Sequence, residues 1–132
     1  MTARREASCS CGQLRVVANG EPVQVTMCHC FACQRRTGSA FSVQGLYGRE
    51  QIETIGRFTE YARITERGEE RRYCFCPDCG ATLFFTAPAF PQLVGVPAGA
   101  FADPSFPSPR VSVYESRRHP WVAVPEQVEH LD

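Results

Sequence analysis

The chain has no lysine: its fourteen basic residues are all arginine. Schiff-base chemistry through a lysine amine is therefore excluded, as is a P-loop, whose lysine contacts phosphate. No stretch approaches the ~20 apolar residues that a membrane span needs. The first residues, Met-Thr-Ala-Arg-Arg-Glu, lack an apolar signal region, so the expectation is a cytoplasmic protein with reduced thiols. There is no basic excess either. Fourteen arginines balance fourteen acidic residues, and the arginine pairs at 35–36, 71–72 and 117–118 are too short to make a cationic stripe. A nucleic-acid partner is not expected on that balance. Long helices are also missing from the pattern. Ten prolines and ten glycines are scattered through the chain and punctuate short apolar runs. The expectation is one mainly β domain over residues 1–132, with a core from about 8 to 124.

What the chain does have is cysteine, eight residues in three tight clusters. Cys9 and Cys11 stand before Gly12. Cys28, Cys30 and Cys33 fall within six residues. Cys74, Cys76 and Cys79 lead to Gly80. A pair separated by one residue cannot easily reach disulfide geometry, whereas C-x-C and C-x-x-C turns bring two sulfurs to one ion. The run Cys76-Pro77-Asp78-Cys79-Gly80 reads as a zinc knuckle. Proline presets the turn, and glycine after the second sulfur permits a left-handed bend. A redox pair would want a thioredoxin-like βαβ context, which the pattern lacks. Sulfur-rich tetrahedral sites favour Zn²⁺, with iron–sulfur second because the spacings differ from ferredoxin patterns. The knuckle needs a second pair of donors. Cys9 with Cys11 and two of the triplet both qualify, but the first choice leaves the triplet intact. The triplet would then hold a second ion with one position unfilled.

Short strands are expected at residues 13–18, around Val23 and Val25, and at 41–46, 71–75, 82–86, 93–96, 111–114 and 121–124. Residues 52–55 and 58–64, separated by Gly56, are expected to pair as a hairpin. Residues 33–37 suit a single helical turn stopped by Gly38.

These clusters and their flanks resemble the glutathione-dependent formaldehyde-activating enzyme (GFA) family. The stretches that carry the resemblance are Ser8-Cys-Ser-Cys11-Gly12, Cys28-His-Cys-Phe-Ala-Cys33 through Phe41, and Phe75-Cys76-Pro-Asp-Cys79-Gly80. Ala102-Asp-Pro-Ser105 and Ser116-Arg-Arg-His-Pro-Trp121 fit as well. The resemblance implies a zinc-stapled β-tent of short antiparallel strands. It implies a structural zinc at Cys9, Cys11, Cys76 and Cys79, and a catalytic-type zinc at Cys28, Cys30 and Cys33. It further implies carbon–sulfur lyase chemistry: a small aldehyde such as formaldehyde added to, or removed from, the thiol of glutathione or a similar small thiol. Cys74 is extra to the motif set.

Three thiolates around Zn²⁺ make a poor Lewis acid, better suited to binding an incoming thiol than to making hydroxide. The rival reading is a non-catalytic scaffold in which Cys74 closes the second site. A third is a redox or metal-buffering protein. His29, between two ligands, is expected beside the site rather than in it. His119 could line a pocket. Arg35 and Arg36 could offset the sulfur charge or grip a carboxylate. Thr37, Gly38 and Ser39 could offer N–H groups near the metal or form a simple turn. Phe41 and Trp121 are expected in the core.

Overall fold

The computed structural model describes residues 3–132. Eleven strands and one short α-helix make up its regular structure, with three single 3-10 turns between them. Strands β1 (Arg4–Ser8), β2 (Arg15–Asn19) and β5 (Ile52–Ile55) form a three-stranded sheet in the order β1-β2-β5. The second sheet has eight strands. Its members are β3 (Gln24–Cys28), β4 (Ser42–Gly48), β6 (Thr59–Ile64), β7 (Glu70–Phe75), β8 (Thr82–Thr86), β9 (Leu93–Pro97), β10 (Val111–Val113) and β11 (Glu129–His130). Their order is β11-β10-β3-β4-β9-β8-β7-β6. Most pairs are antiparallel, as expected. The exceptions lie at one edge, where β10 runs parallel to both β3 and β11. No helix among the described residues is long and apolar enough to cross a membrane.

The hairpin expected across Gly56 does not form. Strand β5 pairs with β2, and β6 pairs with β7. The reason lies in the turn between them. Gly56 has φ +105°, and a Cβ there would stand 2.1 Å from the Gln13 carbonyl oxygen. The chain passes so close to Gln13 that β5 joins the sheet of β2, while β6 is sent to the other one. Residues 121–124 are not a strand either, and Trp121 is 74% exposed rather than in the core. Proline at 120 and 125 interrupts the run on both sides and removes ladder donors. Two strands have no counterpart in the apolar pattern. β1 carries Arg4, Arg5 and Glu6, too polar for such a reading, and β11 is only two residues long.

The main core fills the space between the sheets. Ala7, Leu14, Val16 and Ala18 come from the smaller side, and Tyr47, Cys74, Leu83, Phe84, Val94 and Val96 from the larger. Alternation along each strand then fixes the opposite face of the large sheet. Neighbours of those core residues, namely Leu46, Tyr73, Phe85 and Gly95, line an open cleft instead. That two-faced sheet positions everything that follows.

Candidate metal centres and an arginine-lined cleft

Two groups of cysteine sulfurs converge. The first is Cys9, Cys11, Cys76 and Cys79, the second Cys28, Cys30 and Cys33, with all sulfurs of a group within 4.8 Å of one another. All eight cysteines are free thiols in the structure.

The first group joins the two sheets. Cys9 and Cys11 sit in the β1–β2 turn, and Cys76 and Cys79 in the β7–β8 turn. Both turns are built alike. Gly12 N–H donates to the Cys9 carbonyl at 3.1 Å, and Gly80 N–H donates to the Cys76 carbonyl at 2.8 Å. Each glycine has positive φ, +87° and +82°, which other residues adopt only at a cost. The turns aim N–H groups at sulfur: Leu14 N to Cys9 Sγ at 3.3 Å and Asp78 N to Cys76 Sγ at 3.4 Å. Gln13 adds a side-chain donor to Cys76 Sγ at 3.0 Å. The same amide donates to the Arg57 carbonyl, and its oxygen accepts from Arg57 N–H. Gln13 thus ties the chain after Gly56 to the site, a role that nothing in the sequence pattern announces.

These donors suit a zinc ion. Four sulfurs at Zn–S distances of ~2.3 Å lie at tetrahedron corners ~3.8 Å apart. Cys9 and Cys11 sulfurs are 3.6 Å apart, and Cys11 and Cys76 sulfurs 3.7 Å. Ligation requires thiolates. Desolvation raises the Cys76 thiol, but hydrogen bonds from Gln13 and from the Cys79 and Asp78 N–H groups bring it down to about 6. Cys11 moves the other way, to about 11: a bond from the Gln13 backbone lowers it, but burial and protons shared with Cys9, Cys76 and Cys79 outweigh that.

The second group is assembled differently. Cys28 ends β3. Cys30 caps α1 (Phe31–Thr37), its sulfur accepting from Cys33 N–H at 3.3 Å. Cys33 lies in the first turn of that helix, and all three are buried. Helix α1 ends at Gly38, whose N–H bonds the Gln34 carbonyl, while Thr37 Oγ1 donates to the Cys33 carbonyl and accepts from Ser39 N–H. Thr37, Gly38 and Ser39 therefore close the helix and offer nothing to the sulfurs. Within the trio, hydrogen bonds from Cys28 and Cys30, joined by Ser42 and the charge of Arg36, favour ionisation at Cys33. Cys28 is correspondingly raised by sharing with Cys30 and Cys33. A sulfur trio of this size also fits a zinc ion, with three protein donors rather than four.

Cys74 does not belong to this trio. Strand alternation puts Tyr73 on the cleft face and Cys74 on the core face, beside Phe84. Its sulfur stands 3.9 Å from Glu60 Oε2, and burial, then the Glu60 carboxylate, pushes the thiol up to about 12. Cys74 is a neutral core thiol separated from the trio by the thickness of the sheet.

His29 lies beside the trio with its ring turned away. It is fully buried, with Nε2 2.9 Å from Ser112 Oγ, and Nδ1 has no partner. Burial lowers its pKa, which favours the neutral ring. His119 does not reach the sulfurs. Its Nε2 stands 3.0 Å from Gln34 Oε1, and its ring meets exposed Trp121 edge-on at 5.4 Å. Phe41 is half-buried and packs against His29 at 6.3 Å.

The trio opens on a cleft of about 870 Å³ on the large sheet's outer face. Arginine dominates its walls: Arg35, Arg36, Arg63, Arg67, Arg71 and Arg117. Only the first two are candidates from sequence. The others lie 30 or more positions from the trio: Arg63, Arg67 and Arg71 come from β6, β7 and the turn between them, and Arg117 from the 3-10 turn after β10. Three carboxylates, Glu66, Glu69 and Asp132, also line it.

Comparison with known proteins agrees with this arrangement. The family model described as "Glutathione-dependent formaldehyde-activating enzyme" matches residues 4–117. A Penicillium rubens protein provisionally named glutathione-dependent formaldehyde-activating enzyme is 26% identical over 76 residues, 58% of this chain. A Fusarium vanettenii protein of the same provisional name is 29% identical over 87 residues, 59% of this chain. The matched stretches make up 39% and 46% of those relatives, so the chain matches less than half the length of either. In fold it is similar to a Rhodobacter sphaeroides protein of known crystal structure (TM-score 0.56, 19% identity), covering 72% of this chain and 85% of that one. With the family pattern running across both sulfur groups and both sheets, the chain belongs to the glutathione-dependent formaldehyde-activating enzyme family.

Proposed function

We propose that this protein is a zinc-dependent carbon–sulfur lyase that joins a small aldehyde such as formaldehyde to the thiol of glutathione or a similar small thiol, and releases it in reverse. One observation carries this reading: three buried thiols meet at the wall of a solvent-connected cleft with no fourth His, Cys, Asp or Glu in their group among the described residues. A closed structural zinc site would have its fourth protein donor there.

Cys28, Cys30 and Cys33 would hold the ion, which when bound supplies a position that favours the thiolate form of an incoming thiol. The residues around it govern the rest. Strand β3 and helix α1 fix the three donors from two rigid elements, so the open side faces the cleft. The arginines of the walls hold a positive field over that opening, which also favours thiolate over thiol. The substrate sulfur attacks the carbonyl carbon, a C–S bond forms, and the carbonyl π pair moves to oxygen. The proton given up by the thiol balances the proton taken up by that oxygen, leaving an S-hydroxymethyl product. Cys9, Cys11, Cys76 and Cys79 would hold a second zinc that joins the two sheets.

The scaffold reading needs Cys74 as a closing donor, and Cys74 faces the core instead. The test is zinc content and turnover of formaldehyde with glutathione, in wild type and Cys30→Ser. Two zinc ions per chain with turnover, falling to one without turnover in the variant, supports the proposal. Turnover that survives Cys30→Ser would sink it.

A further inference from the structure

The arginines of the cleft are not equivalent. Arg117 pairs with Glu66 at 2.9 Å, and Arg71 reaches Glu69 at 3.5 Å. The third carboxylate, on Asp132, accepts from Ser116 N–H at 2.8 Å. The cleft's own acids are thus engaged. Arg36 and Arg63, by contrast, have no carboxylate within ion-pair distance among the described residues. Both turn to one aromatic ring. The Arg36 Cζ lies 4.6 Å and the Arg63 Cζ 5.7 Å from the centroid of Tyr73, and Arg63 Nη2 donates to the Tyr73 hydroxyl at 3.0 Å. The Nε of Arg36 is buried with no hydrogen-bond partner.

Holding two like charges at one buried ring is unfavourable in itself. Cation–π attraction offsets only part of the desolvation and repulsion. The unpaired buried Nε of Arg36 adds a further cost to this arrangement. Guanidinium groups match a carboxylate through two parallel N–H bonds, and the sulfur trio lines the same cleft as Arg36 and Arg63. We propose that Arg36, Arg63 and Tyr73 form a subsite for an acid group of the substrate, so that the thiol delivered to Cys28, Cys30 and Cys33 is a carboxylate-bearing one. The inference rests on the thiol reading above and adds to it the class of thiol and the residues that select it. A competing role for the same arginines is to balance the charge of the trio alone, which would affect every thiol equally.

The experiment uses the zinc-loaded protein, with zinc content and thermal transition checked for each variant. S-methylglutathione keeps both carboxylates of glutathione but has no thiol, so its calorimetric binding reports the acid subsite without chemistry. Arg36→Gln and Arg63→Gln should each weaken that binding about tenfold, the loss of one charge-assisted hydrogen bond, and Arg36→Lys should recover only part of it. The KM for glutathione should rise by a similar factor, and turnover of neutral 2-mercaptoethanol should fall less than turnover of glutathione. Unchanged S-methylglutathione binding in the double variant overturns the subsite even if glutathione is turned over. So does no binding to wild type, or an equal loss for acidic and neutral thiols. Arginine-dependent binding in a protein that fails to turn over formaldehyde with glutathione would leave the subsite standing and remove the catalytic reading instead.

Discussion

The two sulfur groups use the same element, yet they are assembled differently. The four-sulfur group takes its donors from two turns that lie 65 positions apart, one on each sheet (Cys11 to Cys76). It has its full set of donors, and glycine turns, Gln13 and backbone N–H groups crowd its sulfurs. The three-sulfur group takes its donors from one short stretch, is buried beneath a helix start, and looks out on a cleft. An ion in the first group would constrain the chain; an ion in the second would leave a ligand somewhere to go. Cross-linking over a long loop removes much unfolded-state freedom, whereas tying three residues out of six removes little.

Removing one sulfur from each group should break this comparison most sharply. Cys79→Ser should abolish the cooperative thermal transition, because structural zinc contributes on the order of 10 kcal/mol, comparable to the whole stability of a small domain. Cys30→Ser should keep that transition while lowering turnover by about a hundredfold or more, since ligand loss exceeds the effect of disturbing a ligand's neighbour. If Cys79→Ser melts like wild type in circular dichroism, the structural assignment of the first group is wrong.

The next effect concerns the approach that brings the β5–β6 connection against the first group. Gly56→Ala would force a Cβ to within 2.1 Å of the Gln13 carbonyl at φ +105°. A loss of about 2–4 kcal/mol is expected in urea unfolding, combining backbone strain with displacement of Gln13. Cys74→Ala should cost less, about 1–2 kcal/mol for a small core void. Zinc stoichiometry and turnover should not change. A fall to one zinc per chain would reveal Cys74 as a donor after all.

The smallest effect lies under the second group. Burial raises the Glu115 carboxyl, but hydrogen bonds from Ser112 and His130 and nearby positive charge hold it below its ordinary 4.5. Its contribution is present above that pH and lost as pH falls through the lowered value. Wild type should therefore be slightly more stable than Glu115→Gln at neutral pH, with the gap closing below about pH 4.5 in thermal melts. A gap that widens on acidification would contradict the assigned contacts.

Much of the candidate site is legible in the sequence. C-x-C and C-x-x-C spacing brings sulfurs together locally, so the triplet and the two pairs follow from short-range geometry, while the meeting of Cys9 and Cys11 with Cys76 and Cys79 spans 65 positions. The helical turn that stops at Gly38 is visible for the same reason, although the helix starts two residues earlier than expected, at Phe31. Most strands fall where apolar and polar residues alternate. The failures have two causes. Whether residues 52–55 pair with β2 or β6 depends on Gln13, about forty positions away, and no local pattern records that contact. Tryptophan is usually well buried, yet two prolines keep the segment of Trp121 out of the sheets.

The sequence alone determined which residues can bind metal, because ligand type and spacing are local properties of the chain. The tertiary structure decided which sulfurs come together and which do not. Cys74 is barred from the trio because alternation along β7 turns it toward the core, on the other side of the sheet from the cleft. Only folding could likewise bring Arg63, Arg71 and Arg117 to Arg36 around one opening, since charge acts through space and their positions in the chain do not show where they meet.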